Sequence, residues 1–150
     1  SSGPPDFWLS EYRKELICKQ APTVIEESKK NNIDPSLLLA LITVESNWKK
    51  NAVSNANACG LTQVIPKYTG SITKKYTCNQ LKDPKTSIKA GAKILNWWIK
   101  YHDGNITSAL CGYNAGFRCG KDRKRPSKGG MRYARKVLKV QKTIKRLSKR

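Results

Sequence analysis

The chain reads as a single domain, residues 1–150, built almost wholly of α-helices, and three observations predict this. Apolar residues recur at helical spacing in one segment after another. Two Asp-Pro pairs, Asp34-Pro35 and Asp83-Pro84, each stand directly before such a segment, the aspartate suited to cap a helix and the proline to its first turn. No run of alternating apolar and polar residues is long enough for a sheet. At this length one domain can bury a sizeable core.

Residues 1–21 hold a first helix, with Trp8, Tyr12 and Leu16 on one face. Pro22 fits the first turn of a second helix that ends near Asn31 and Asn32. Asp34 then opens a helix carrying LLLALITV and ending at Glu45. A polar loop follows, and GLTQVIPKYTG predicts a short helix broken at Pro66. Asp83 starts a long helix through Trp97 and Trp98 to Tyr101, and His102-Asp103-Gly104-Asn105 is turn chemistry. ITSALCGYNAG resumes a helix that stops at Gly116. A loop rich in glycine and charge leads to the last helix, whose basic end is residues 141–150.

The net charge of +20 predicts attraction to polyanions: nucleic acid, anionic lipid or an acidic cell wall. Residues 121–150 hold fourteen Lys and Arg against Asp122 alone, so +13 of the +20 lies in the last fifth of the chain. There Val137, Val140, Ile144 and Leu147 recur at helical spacing. The favoured expectation is a helix docked on the core with a solvated basic face, polyanion contact being an addition to it. No apolar stretch approaches membrane-spanning length, and no signal peptide is visible at the start. The five cysteines show no metal-ligand spacing with His102, so neither metal nor cofactor is expected. Cys59 with Cys78 and Cys111 with Cys119 could each bracket a loop, but the spacing does not choose between these pairs and reduced thiols; Cys18 completes an odd count.

Seven apolar residues in the eight from 37 to 44 run straight into Glu45. Beyond residue 36 the other acids are Asp83, a helix cap, Asp103, a turn residue, and Asp122 in a basic loop, so Glu45 alone has an apolar setting there. Desolvation and the negative end of the helix dipole should raise its pKa, as a general acid requires. A frayed helix end with Glu45 turned to water is the bland alternative.

Three further segments shift that balance: GLTQV with Gln63, CGYNAG with Tyr113 and Asn114, and MRYARKV with Tyr133. In this order, with ALITVES before them, they resemble the soluble lytic transglycosylases, lysozyme-like enzymes that cut peptidoglycan. The likeness covers about residues 22–140, and it departs at Thr62, where the family usually has Met, and at Cys111-Gly112, where Ala-Ala is common. Both departures are expected to alter cleft packing.

The resemblance implies a mainly α, lysozyme-like domain, of the goose-type and lytic transglycosylase kind, with a substrate cleft. It implies Glu45 as the sole catalytic acid on the bond between N-acetylmuramic acid and N-acetylglucosamine. Ser46 would orient Glu45 or the acetamido group, and Gln63 would line the sugar subsite. Tyr113 and Asn114 would hold the acetamido group, and Tyr133 would hydrogen-bond Glu45. The residues agree on one point: two-carboxylate glycosidases need a pair about 5–5.5 Å or about 6.5–9.5 Å apart, and no second carboxylate is evident here. With one acid the substrate must supply the nucleophile, giving a 1,6-anhydro product.

The partners expected are glycan strands of peptidoglycan, with electrostatic contact to an anionic envelope through residues 121–150, no specific nucleic acid, and a monomeric protein. The setting expected is the bacterial cell wall, reached in virus infection or from a bacterial secretion system. The rivals are a goose-type hydrolase of the same bond, a nucleic-acid-binding protein, and a membrane-active helix on an inactive scaffold. Against the nucleic-acid reading, residues 121–150 hold one aromatic, Tyr133, and no module signature.

Overall fold

The computed structural model describes residues 10–149; Trp8 lies outside them. Six α-helices follow in order: α1 (Glu11–Lys30), α2 (Pro35–Ser46), α3 (Cys78–Leu81), α4 (Pro84–Tyr101), α5 (Ile106–Ala115) and α6 (Lys128–Leu147). Short 3-10 turns occupy Pro66–Tyr68 and Gly116–Cys119. Among the described residues there is no strand, only isolated bridges pairing Cys59 with Val53 and with Val64.

Both Asp-Pro pairs start helices as expected. The Asp34 carboxylate accepts from Ser36 N at 2.9 Å and the Asp83 carboxylate from Thr86 N at 3.0 Å. α2 is apolar on nearly every side, and Leu37, Leu38, Ala40, Leu41 and Ile42 are all buried, which makes it the central helix. α1 and α6 pack on it, and α5 lies between α4 and α6. The main core joins Val24, Leu38, Leu41, Ile88, Leu95, Leu110 and Val137.

The break expected at Pro22 is absent: α1 runs through it as one helix. Proline removes one backbone hydrogen bond and costs about 3 kcal/mol in a helix interior. The helix persists because it is fastened on both sides of Pro22, by Leu16 and Ile17 before it and Val24 after it. The expected first face is corrected too, since Tyr12 is exposed while Leu16 packs on the core.

The helix expected over GLTQV is instead a turn. Gly60 and Gln63 take left-handed backbone conformations, φ 80° and 54°, and a Cβ at residue 60 would collide with the carbonyl of Leu81. A Cys59–Cys78 disulfide ties this turn to α3, a helix the sequence reading missed. The second pair, Cys111 with Cys119, is also joined, and Cys18 is the free, exposed thiol. α6 docks on the core as expected: Tyr133, Ala134 and Val137 are buried, and Val140 and Ile144 pack beside them.

Candidate active site

The last turn of α2 carries Glu45, and the helix ends at Asn47 in a left-handed conformation. The residue keeps some access to solvent, but its carboxyl is crowded by protein atoms, and among the described residues no cation acts on it. Burial raises its pKa from 4.5 to about 7, and a hydrogen bond from Tyr133 offsets part of the rise. The Tyr133 hydroxyl donates to Glu45 Oε2 at 2.8 Å across 88 residues of sequence. No second carboxylate contributes to the shift.

Tyr113 enters from α5. Its hydroxyl donates to the backbone carbonyl of Thr62 at 2.7 Å, which fastens α5 to the 60–64 turn. Burial and the nearby Glu45 charge push both tyrosines well above the ordinary phenol value, so both remain hydrogen-bond donors at neutral pH. Gln63 holds the same turn: its Nε2 donates to Ala52 O at 3.0 Å and Gly60 O at 2.9 Å. Its amide oxygen is thereby turned away from those carbonyls and has no protein partner among the described residues.

Ser46 does not reach the Glu45 carboxyl. It is buried, donates towards Leu61 O at 2.8 Å and Ile42 O at 3.2 Å, and accepts from Trp48 N at 3.2 Å. Its place is a knot between the end of α2 and the turn that carries Gln63. Asn114 is exposed and its side chain makes no hydrogen bond among the described residues, so the structure leaves it outside this network.

Two residues that the sequence reading did not connect complete the support. Thr62 is fully buried against α4, with its hydroxyl 2.7 Å from Ser87 O and its N–H donating to Ser87 Oγ at 3.1 Å. Gly91 leaves room for it, since a Cβ there would strike the Thr62 side chain. Thr62 therefore anchors the turn and does not line a cleft. At the second departure Cys111 is disulfide-bonded, and Gly112 makes room for the ring of Trp98. No motif signals the Thr62–Ser87 pair, because a Thr and a Ser 25 positions apart carry no pairing signal in one sequence.

A groove of about 720 Å³ lies beside this region, bordered by Tyr12, Leu16, Trp48, Lys49 and Lys85. It shares Trp48, Ala52 and Leu61 with the supports of the site, and Glu45 is not among its lining residues. Among the described residues no group of His, Cys, Asp and Glu is arranged to hold a metal ion.

The family model described as the Transglycosylase SLT domain matches residues 22–134. The chain belongs to this family. Over 114 residues it is 36% identical to the membrane-bound lytic murein transglycosylase C of Haemophilus influenzae strain PittEE, covering 65% of this chain and 31% of that protein. Transglycosylase C from strain Rd is 33% identical over the same length. Among solved structures, an inactive Glu-to-Gln mutant of lytic transglycosylase Slt from Pseudomonas aeruginosa superposes with a TM-score of 0.71 at 25% identity, covering 80% of this chain and 23% of that one. The chain thus spans less than a third of the length of each of these relatives. The fold is the lysozyme-like fold of the lytic transglycosylases. No described helix is long and apolar enough to cross a membrane.

Proposed function

We propose that this SLT domain is a peptidoglycan lytic transglycosylase, cleaving the β-1,4 bond between N-acetylmuramic acid and N-acetylglucosamine without consuming water. The observation that carries the reading is the single carboxyl with its pKa near 7, bonded by one phenol and with no second carboxylate acting on it. A carboxyl raised this far by burial can serve in both its protonated and its charged form near neutral pH, which suits a group that must first give and then take a proton.

In the first step Glu45 protonates the glycosidic oxygen as the bond to C1 breaks. The 2-acetamido oxygen of the muramyl residue bonds to C1 in its place, as in substrate-assisted glycosidases. Glu45, now a carboxylate, then takes the proton of the 6-hydroxyl, whose oxygen closes on C1 and releases the acetamido group. The products are a 1,6-anhydromuramyl end and an N-acetylglucosamine end with a free 4-hydroxyl, and Glu45 is again protonated. Tyr133 steadies Glu45 in its charged form, and the Gln63 amide oxygen is the acceptor offered to a sugar hydroxyl or N–H. We place Asn114 at the substrate by its adjacency to Tyr113, and Ser46 as a positioning residue acting through the turn. Names of the relatives, and the inactive Glu-to-Gln mutant among them, support the assignment.

Digestion of purified walls followed by mass spectrometry of the muropeptides tests this directly. Anhydro products from the wild type, and none from Glu45→Gln, are the expected result. Hydrolysed ends would identify a goose-type hydrolase instead, and clearing by the Gln variant at the wild-type rate would remove Glu45 from the mechanism.

The partner surface belongs to the same proposal. Lys128, Arg132, Arg135, Lys139, Lys142 and Arg146 are exposed at three- and four-residue intervals along the outer side of α6, forming one stripe. At 1.5 Å per residue it runs for about 27 Å. None of the six has an ion-pair partner among the described residues, whereas the neighbouring Lys145 is paired with Asp34 at 3.6 Å. The stripe suits an anionic polymer of the cell envelope, and wall binding should weaken steeply with salt. The virus-encoded setting rests on the strong basicity, and a parent gene lying among capsid, tail or lysis genes is the finding that tests it.

A further inference from the structure

The first turn of α6 packs on something unusual. Gly130 is buried there, and a Cβ at this position would lie 2.7 Å from Cys111 Sγ, 2.8 Å from Cys119 Sγ and 3.0 Å from the Cβ of Ala115. The helix therefore rests its bare backbone on the Cys111–Cys119 disulfide. Both sulfurs belong to buried residues. Together with Ala115 and the flanking Met131 they form a small apolar cluster separate from the main core. Between Lys128 and Arg132 the turn meets this cluster through Gly130 and the partly buried Met131, since Lys128, Gly129 and Arg132 are exposed. One turn further along the same buried face stands Tyr133, whose hydroxyl reaches Glu45 at 2.8 Å.

We propose that the Cys111–Cys119 disulfide and Gly130 form a seat for α6 that sets how deeply the helix packs and thereby places the Tyr133 hydroxyl on Glu45. Gly130 and the two cysteines are then positioning residues for the reaction, although none of them touches substrate. The disulfide also closes the loop that holds Tyr113, Asn114 and the Gly116 corner, so one crosslink governs two sides of the site. The inference rests on the proposed role of Glu45 for its activity readout but not for its structural one.

Gly130→Ala in three backgrounds tests it. In the otherwise wild-type protein the added methyl should lift α6 and lower kcat roughly tenfold, since small misplacements of a catalytic group are costly. In Cys111→Ala/Cys119→Ala the space left by the sulfurs should take the methyl, and the same substitution should then change kcat little. In Tyr133→Phe it should add nothing, because the group it displaces is already gone. An equal loss in the cysteine-free background, or a full additional loss on top of Tyr133→Phe, overturns the proposal. If Gly130→Ala does not fold, the cysteine-free variant alone decides, with the Glu45 carboxyl followed by 13C NMR. Its titration should move in the same direction as that of Tyr133→Phe, and a wild-type titration there overturns the seat. A wild-type protein that fails to cut walls would sink the proposed function, while this titration would still judge the seat.

Discussion

Two glutamates are withdrawn from water in this domain, and their surroundings set them apart. Glu27, on α1, is 2% exposed, with Lys30 Nζ 3.7 Å from its carboxylate. Glu45, at the end of α2, keeps more surface, and among the described residues its carboxyl is hydrogen-bonded by one phenol and faces no cation. At Glu27 the partner is a cation one turn away on the same helix. A phenol compensates less, so the Glu45 carboxyl holds its proton to about pH 7. Shelter alone does not set Glu45 apart, since Glu27 is more thoroughly hidden. What distinguishes Glu45 is shelter without a countercharge among the described residues.

The largest effect that could break this contrast is on turnover. Glu45→Gln should lower kcat on purified walls by about 10²–10⁴-fold, the range lost with a general acid, measured by release of soluble muropeptides. Glu27→Gln should leave kcat within about threefold, as substitutions outside the reacting groups do when the fold survives.

The next effect is on stability and has a definite sign. Glu45 is raised from 4.5 to about 7 on folding, so between those values the folded state binds the extra proton. Stability should therefore fall as pH rises through this window, by about 3 kcal/mol in all at 1.36 kcal/mol per pKa unit. Below the window the group contributes no penalty, and above it the penalty is constant. Denaturant unfolding at pH 4.5 and pH 8 should show this loss in the wild type, beyond what other groups contribute, and not in Glu45→Gln.

A smaller effect comes from the phenol. Tyr133→Phe removes a bond that favours the charged form, so the alkaline limb of the pH–kcat profile should move upward from about 7. A limb that stays in place would mean that the bond does not form in solution. The smallest expected change is at the other glutamate: Lys30→Met should lower the melting temperature slightly at pH 8 while leaving the kcat profile where it was. A shifted profile would show that the two glutamates are not independent.

How far the sequence reached depended on the range of the interaction. The starts of α2 and α4 were legible because Asp34 and Asp83 cap through contacts two or three residues away. The stop at Gly116 was legible for the same reason. Pro22 misled because a local helix breaker was outweighed by core contacts on either side of it. The GLTQV segment misled because its turn is fixed from outside, by a disulfide to α3, by Ser46 and by Ser87. At the site, the apolar run before Glu45 marked it as a candidate, and only the further segments and the family resemblance set it above a frayed helix end. Tyr133 was expected there from family resemblance alone, and the hydrogen bond from Ser46 to Leu61 carries no local signal.

The amino-acid order by itself determined the helical character of the chain, the caps of its central helices, the apolar run that ends in Glu45 and the excess of cations on the last helix. Each of these follows from neighbours within a turn or two. The folded arrangement alone decided that Glu45 meets a phenol and no cation, and that Thr62 turns inward to Ser87. It also decided that α6 rests on a disulfide through a residue with no side chain. Those are contacts between segments far apart in the chain, and they exist only once the core has fixed the distances between helices.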